Sequence, residues 1–525
     1  MTVTSKIDES YWEAFKLQEQ DIEFIYSYLL ESETPLTPQE LVAALIDERI
    51  RHQKIELERQ RTSGGDLYQP KGTYKSRQKL IFPALNWQRG EVIGVRPGSN
   101  PELGDFQVIQ VAFKDGNPRE FAAALADHVL NNPPKIEDDT TLLDRQSVLD
   151  QFGENLSEAL EEELETNPDF VRIAGRWFPR ALLVDINLGH LNLAEAVLDM
   201  AGGGPLPTTE LLKQIELTSD ANANLVEFSL DLALQEDPRF DEVGPSGDIL
   251  WYLQRLEPAE ALQPPIYLRY AGMEYDRFLL TKEMLALEQD LDDELSPLDA
   301  RSQHQESEIR LIFPHWRSGT LPLSARVRHL FPTAYEAPRV RFMLVDGDTG
   351  EKFPGWVVRE KRYVYGLADW YAAHGVAPGS IIHIRKGKAP GEVIVQTESR
   401  RSSREWIRTV LVGSDGGVVF AMLKQIVSAP FDERMAIAIP DKEAVDQVWQ
   451  NAQKEQPPFE RLVVNMVREL SKLNPQSHVH AIELYAALNV IRRCPPGPIL
   501  ALLASRPWFS HVGDLHYRLS DSEYE

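Results

Sequence analysis

The chain has 525 residues, 42% of them hydrophobic, a single cysteine and a formal net charge of −26. That length exceeds what one core supports, and about three to five domains are expected; a lone Cys494 excludes a disulfide framework and a cysteine-ligated metal site. The charge argues against uniform coating of nucleic acid, because nonspecific binding to a polyanion depends on displaced counterions. Residues 1–10 hold no apolar signal core, and no run approaches the roughly 18 apolar residues of a membrane helix. The sequence therefore reads as an acidic cytoplasmic protein with no membrane partner.

In chain order, residues 1–66 read as an N-terminal helical unit. A helix over 22–30 is followed by Thr34-Pro35-Leu36-Thr37-Pro38-Gln39-Glu40-Leu41, a capped opening of a second helix. From 49 to 90 the chain carries ten Lys/Arg against three Asp/Glu. Arg49, Arg51, Lys54, Arg59 and Arg61 lie on the helix, and Lys71, Lys75, Arg77 and Lys79 follow in an arm with Tyr68 and Tyr74. Such cations neutralise phosphates, and the tyrosines could stack on bases. Residues 67–132 alternate short apolar runs with turns and suggest a small β-barrel. After a Pro-rich linker, 137–187 reads as an acidic winged-helix-like unit and 188–260 as a cleaner winged helix. Residues 261–305 read as an acidic, solvated linker. Residues 306–400 form a second β-barrel-like domain, 401–452 a small α/β extension and 453–525 a C-terminal winged helix. The fold class expected is α+β multidomain, with repeated winged-helix units alternating with two small β-barrel-like domains.

The repeats rest on a phrase written three times: Asn167-Pro168-Asp169-Phe170, Asp237-Pro238-Arg239-Phe240 and Arg506-Pro507-Trp508-Phe509. Each leads through a small-residue turn to an aromatic strand, at Trp177-Phe178, Trp251-Tyr252 and Tyr517. A helix run closed by such a hairpin is how a winged helix ends. The openings Pro205-Leu206-Pro207-Thr208-Thr209-Glu210-Leu211 and, more loosely, Ser477 to Leu488 repeat the earlier one. With Asp237-Pro238-Arg239-Phe240 and Trp251, these residues resemble the HARE-type winged helix, a helix-turn-helix module found in the delta subunit of bacterial RNA polymerase. The resemblance implies a transcription-associated or DNA-associated role rather than catalysis.

A second resemblance covers 340–396. Asp348-Thr349-Gly350, Arg362-Tyr363-Val364-Tyr365-Gly366-Leu367, Trp370 and Pro378-Gly379-Ser380-Ile381 are similar to the plant-type DNA-binding pseudobarrel, with Ser380 where that family usually has Asp. Here lies the second basic island, seventeen Lys/Arg against eleven Asp/Glu over 306–411. Arg359, Lys361 and Arg362 read as one strand, Arg385, Lys386 and Lys388 as another, and Arg400, Arg401 and Arg404 lie just beyond. Together they are candidates to clamp a phosphate backbone. The repeated Leu80-Ile81-Phe82-Pro83 and Leu311-Ile312-Phe313-Pro314 suggest a shared β element.

The winged units point elsewhere. Along 222–236 the polar positions are Asn222, Asn224, Glu227, Ser229, Asp231, Gln235 and Glu236, and the preceding unit carries Glu158, Glu161, Glu162, Glu163 and Glu165. Phosphates would repel these helices, so the wings read as contacts for protein. No catalytic, cofactor or metal set stands out. Cys494 lies in a Pro-rich turn, His478 and His480 lack a third ligand at the usual spacing, Asp346-Gly347-Asp348-Thr349-Gly350 is a hairpin turn rather than a calcium loop, and Asp292-Asp293 falls in the linker. The expectation is a non-enzymatic DNA-binding or transcription-associated protein, basic barrels touching nucleic acid and acidic wings touching protein such as RNA polymerase, with no small-molecule substrate. The alternatives are a protein-interaction scaffold that does not bind nucleic acid directly and, third, a nuclease.

Overall fold

The structure is a computed structural model. It describes all residues except 1–8, 14, 63–64, 86–87, 101–103, 115, 132–144, 216, 218–220, 300–303, 390, 399–400, 415 and 521–525, and the side chains of 9–10, 53–54 and 56–62. It is a mixed α+β chain with a curled half-barrel sheet, and divides into two compact units, Met1–Leu183 and Val184–Glu525.

In the first unit, α1 (Glu9–Glu13), α2 (Glu19–Ser32) and α3 (Pro38–Thr62) precede a sheet, and α4 (Arg145–Thr166) follows it. Ile25 and Leu29 of α2 and Leu41, Leu45 and Ile46 of α3 are buried at helical spacing. Thr37 and Glu40 cap α3 reciprocally: the Thr37 N–H donates to Glu40 Oε2 at 2.8 Å, and the Glu40 N–H to Thr37 Oγ1 at 3.3 Å. The hairpin β6 (Phe170–Ile173) and β7 (Arg176–Pro179) closes back on the start of the unit. Leu36 and Trp177 exchange backbone hydrogen bonds of 3.2 and 2.8 Å, Arg176 donates to the Pro35 carbonyl at 3.0 Å, and Arg145 pairs with Asp47 at 3.0 Å. The expected units 1–66 and 137–187 are therefore corrected to two halves of one. The hairpin needs a third strand, and Leu36 supplies it.

Between those halves run β1 (Asp66–Leu67), β2 (Lys79–Phe82), β3 (Gln88–Pro97), β4 (Gln107–Phe113) and β5 (Arg119–Ala123), in the order β1-β2-β3-β4-β5. Alternation along β4 buries Ile109, Val111 and Phe113. They join Tyr68, Tyr74, Phe82 and Phe121 in an aromatic core, with the Phe82 and Phe121 rings 4.5 Å apart. Among the described residues no strand pairing joins β1 to β5, but the Ala124 and Leu125 N–H groups just after β5 donate to the Gly72 and Pro70 carbonyls at 2.9 Å each, so the arm after β1 closes against β5.

The second unit opens with α5 (Leu188–Met200), β8 (Leu206–Pro207), α6 (Thr208–Gln214), α7 (Ala223–Glu236), β9 (Phe240–Glu242) and β10 (Leu250–Leu253), its sheet ordered β8-β10-β9. Gly204 adopts φ +114°, and a Cβ there would lie 2.5 Å from the Trp251 carbonyl, so the turn before β8 demands glycine. Trp251 is fully buried. Its indole N–H lies 2.9 Å from Asp231 Oδ1 and 3.0 Å from Thr208 Oγ1, and Thr208 also donates to Asp231. Asp231, expected among the outward polar positions of 222–236, is thus a core residue. Burial pushes its carboxyl up to about 7.

Next come α8 (Ala259–Leu262) and α9 (Lys282–Leu291), then a seven-stranded sheet. It is built from β11 (Glu306–Arg310), α10 (Phe313–Ser318), β12 (Thr320–Pro322), β13 (Arg339–Asp346), β14 (Lys352–Val358), β15 (Tyr363–Tyr365), α11 (Ala368–Ala373), β16 (Ile381–Lys386) and β17 (Glu392–Gln396). The strand order is β11-β16-β17-β13-β14-β15-β12. The two Leu-Ile-Phe-Pro phrases part company: 80–82 is strand, whereas Phe313-Pro314 starts α10, where proline fits the first helical turn. Beyond the sheet lie β18 (Ser403–Val412), β19 (Val418–Val427), β20 (Ile437–Ala438), α12 (Lys442–Glu455), α13 (Phe459–Ser471), β21 (Val479–His480), α14 (Ala481–Ile491), α15 (Pro496–Ser505), β22 (Phe509–Gly513) and β23 (His516–Leu519).

The three Pro-x-Phe phrases occupy matching places. Phe170, Phe240 and Phe509 are each buried, and each backbone N–H bonds the carbonyl three residues earlier, at Asn167, Asp237 and Arg506. Trp177, Trp251 and Tyr517 on the closing strands pair with Leu36, Leu206 and Val479.

The expected linker 261–305 is the largest correction. Four of its carboxylates are buried rather than solvated: Glu288, Asp292, Asp293 and Glu294 are each 5% exposed or less, while Glu274, Asp276, Glu283, Asp290 and Asp299 are exposed. Arg493, in the turn after α14, is fully buried and reaches Asp293 Oδ1 at 2.6 Å and Glu294 Oε1 at 2.7 Å. Tyr485 donates to Asp293 Oδ2 at 2.5 Å, and His315 of α10 lies 3.1 Å from Glu294. Burial alone would raise the Glu294 carboxyl, but Arg493 and His315 hold it well below the usual carboxylate range.

Two outcomes follow from these buried charges. Arg493→Ala should destabilise the Val184–Glu525 unit by about 3–5 kcal/mol, because it strands two buried carboxylates; a thermal melt of the full chain measures it. Asp231→Asn should act through pH. The folded carboxyl holds its proton to about pH 7, whereas the unfolded one loses it near pH 4. The wild type therefore loses stability as pH rises from about 4 to about 7, and the variant does not. The melting midpoint of Asp231→Asn relative to wild type should be higher at pH 8 than at pH 5.

Candidate nucleic-acid interface

The basic residues fall into three groups by what they touch. Some are structural. Arg49 is clamped on buried Asp21, Nη2 to Oδ2 at 2.5 Å, with its guanidinium 5.4 Å from the Phe15 ring. Arg51 pairs with Glu48 at 2.7 Å. Arg359, Lys361 and Arg362 do not form a strand; they lie in the turn between β14 and β15. Arg359 donates to the Tyr335 and Ala337 carbonyls, Lys361 pairs with Glu360, and Arg362 donates to the Glu294 carbonyl at 3.0 Å. These guanidinium groups are committed to holding loops. The side chains of Lys54, Arg59 and Arg61, and all of Arg400, lie outside the described residues.

A second group stands on the arm before β2. Tyr68 and Tyr74 are buried, not offered to bases. The Tyr68 hydroxyl donates to the Ala122 carbonyl at 2.6 Å, and the Tyr74 hydroxyl bridges the Gln69 N–H and carbonyl at 2.7 Å each. They fix the arm so that Lys71, Lys75, Arg77 and Lys79 all point to solvent.

The third group lies along the seven-stranded sheet and beyond it. Arg385, half-buried, and exposed Lys386 end β16, and Lys388 sits in the turn to β17. Strand direction carries the chain from that turn to the opposite end of the sheet, roughly 15 Å away at 3.3 Å per residue, before it reaches Arg401 and Arg404. The expected clamp is thus divided between the two ends.

Arg401 and Arg404 lead into a ribbon the sequence reading did not single out. β18 and β19 pair over ten residues each, Ser403↔Val427 to Val412↔Val418. Alternation places Arg404, Trp406, Met422, Lys424 and Ile426 on one face. Trp406 is 61% exposed and Ile426 69%, and Lys424 lies directly across from Trp406, its ammonium 5.4 Å from the ring. Arg408, next on that face, is buried and donates to Glu483 of α14 at 2.6 Å and to the Glu433 carbonyl at 2.6 Å. One end of the ribbon is anchored in the core by Val410 and Phe420, and the other presents an aromatic ring among cations. The signal was present in the sequence as Arg401-Ser402-Ser403-Arg404-Glu405-Trp406; what hid it was Lys424, eighteen positions away.

Among the described residues the helices that lead into the three hairpins offer no such face. On α7, Asn222, Asn224, Gln235 and Glu236 are exposed, with no Lys or Arg. On α4, Glu158, Glu162, Glu163 and Glu165 are exposed, and Arg172 folds back onto Glu165 at 2.9 Å. The corresponding α15 is apolar, and Pro496 to Ala501 are all buried. Cys494 is buried too; burial pushes its thiol up, and it donates to the Pro495 carbonyl at 3.2 Å. Among the described residues no helix is long and apolar enough to cross a membrane. No protein-family model matches the chain, and neither the curated proteins nor the solved structures contain a match to it.

Proposed function

We propose that this chain is a non-enzymatic nucleic-acid-binding protein, of a DNA-associated or transcription-associated kind, that holds its ligand on the β18–β19 ribbon. One observation carries the reading: an exposed Trp406 flanked by Arg404 and Lys424 on a rigid two-stranded face of a chain with net charge −26. An exposed indole among cations is costly to maintain in water and suits stacking on a base while the cations meet phosphates. The turn cations Lys386 and Lys388 are secondary phosphate contacts, and the arm cations Lys71, Lys75, Arg77 and Lys79 are a separate phosphate-binding surface of the Met1–Leu183 unit. The matching helix–hairpin units support the winged-helix resemblance, and their acidic or buried third helices suit protein contact better than groove reading. The open seven-stranded sheet with α10 and α11 supports the pseudobarrel resemblance.

Fluorescence anisotropy with labelled single-stranded and duplex DNA at about 50 mM salt tests the reading. Binding is expected, and no binding there rejects it. Trp406→Ala should weaken single-strand affinity roughly 5- to 150-fold, the loss of one stacked base at about 1–3 kcal/mol. Arg404→Glu and Lys424→Glu should each lower the salt slope by about one. Asp231→Asn should leave affinity unchanged.

A further inference from the structure

Asp346 ends β13, Asp348 follows in the turn to β14, and His374 directly follows α11. His374 Nδ1 lies 3.0 Å from the Trp370 carbonyl oxygen. A carbonyl only accepts, so Nδ1 carries a ring proton, and Nε2 is the nitrogen left for a further partner. Nε2 faces Asp346 Oδ2 at 3.2 Å and Asp348 Oδ2 at 4.0 Å. Three ligand atoms so placed suit a positive centre between them.

The surroundings hold all three groups in that pose. Asp346 Oδ1 accepts the Asp348 N–H at 2.9 Å, and Gln396 donates to Asp348 Oδ1 at 2.7 Å. Thr349 also hydrogen-bonds the Asp346 carboxylate, through its side chain and its backbone N–H, and each aspartate presents its Oδ2 toward His374. The His374 ring stacks on Trp370 with centroids 4.6 Å apart. A metal-ligating histidine typically donates its other N–H to a carbonyl in this way. The three ligand atoms lie within 4.8 Å of one another, and donors about 2.1 Å from a tetrahedral ion stand roughly 3.4 Å apart. Asp346 is buried while the Asp348 side chain is 32% exposed, so water can reach the remaining coordination position.

A proton on Nε2 would be the other positive centre, and it would satisfy Asp346 alone, leaving the Asp348 oxygen 4.0 Å off. The second cluster of this kind, His480, Asp514 and His516, differs. His480 Nδ1 accepts the Ile482 N–H at 3.1 Å, and its Nε2 faces the donor-only Arg434 guanidinium at 3.1 Å. Both His480 ring nitrogens are thus met by protein donors.

We propose that Asp346, Asp348 and His374 bind one divalent first-row cation, zinc the best fit to a set of two carboxylates and one imidazole, tying the β13–β14 turn to α11. The test uses the untagged full chain, stripped with a chelator and titrated with zinc chloride by calorimetry, with metal analysis after dialysis. One ion per chain is expected. His374→Gln and Asp348→Asn should each weaken zinc at least about tenfold, and zinc should raise the melting midpoint of the wild type but not of Asp348→Asn. His516→Ala should bind like the wild type. Should His374→Gln fail to fold, Asp348→Asn still decides, since it leaves the Asp346–His374 contact in place. No stoichiometric uptake, uptake unchanged in Asp348→Asn, or uptake lost in His516→Ala overturns the proposal.

Discussion

Arg493 brings a full positive charge into a place without solvent, and the Val184–Glu525 unit is arranged around its neutralisation. Asp293 and Glu294 come to it from a segment nearly 200 residues earlier, Tyr485 and Asn489 from α14 just before it, and His315 from the seven-stranded sheet domain. Desolvating these groups is expensive, so the set is tolerated only when complete. Its completeness ties three parts together. The Arg362 guanidinium takes the Glu294 carbonyl, Asp292 accepts from the Ser324 hydroxyl and the Arg326 N–H, and the turn after α14 supplies the arginine. A charged joint of this kind adds little net stability compared with apolar packing, but it admits one register.

Charge is sorted by secondary structure. Helix α4 carries a run of surface carboxylates, Glu158, Glu162, Glu163 and Glu165, while the exposed cations Lys71, Lys75, Arg77, Lys79, Lys386, Lys388, Arg404 and Lys424 ride on strands and the turns next to them. A chain with net charge −26 can still meet a polyanion where a ribbon lifts the cations away from the acidic helices, because beyond about 10 Å solvent charges are largely screened.

The apolar pattern was legible from sequence. The Pro-x-Phe phrases mark helix ends and hairpins because each Phe must bury and each proline stops a helix, and both effects are local. What sequence could not show was pairing at a distance. Nothing near Leu36 says that its partner is Trp177, so one unit read as two. Nothing near Asp293 names Arg493, so a buried joint read as a solvated linker. The candidate site divides along the same line. Arg401 and Arg404 were visible, but Trp406 and Lys424 become a surface only when β18 and β19 register. Conversely, Arg49, Arg359 and Arg362 looked free until their partners, Asp21, two carbonyls and the Glu294 backbone, came beside them.

The divided N-terminal unit has a consequence for synthesis. Arg176 meets the Pro35 carbonyl across 141 residues, so α2 and α3 must wait for the closing hairpin to leave the ribosome. At about 5–20 residues per second that interval is on the order of ten seconds. During it the apolar faces of α2 and α3 are uncovered, while the β1–β5 segment, whose contacts lie between near neighbours in the chain, can already fold. The inserted sheet is therefore the first part of the unit able to form on the nascent chain, and the helices that precede it reach their full packing only once α4 and the hairpin arrive.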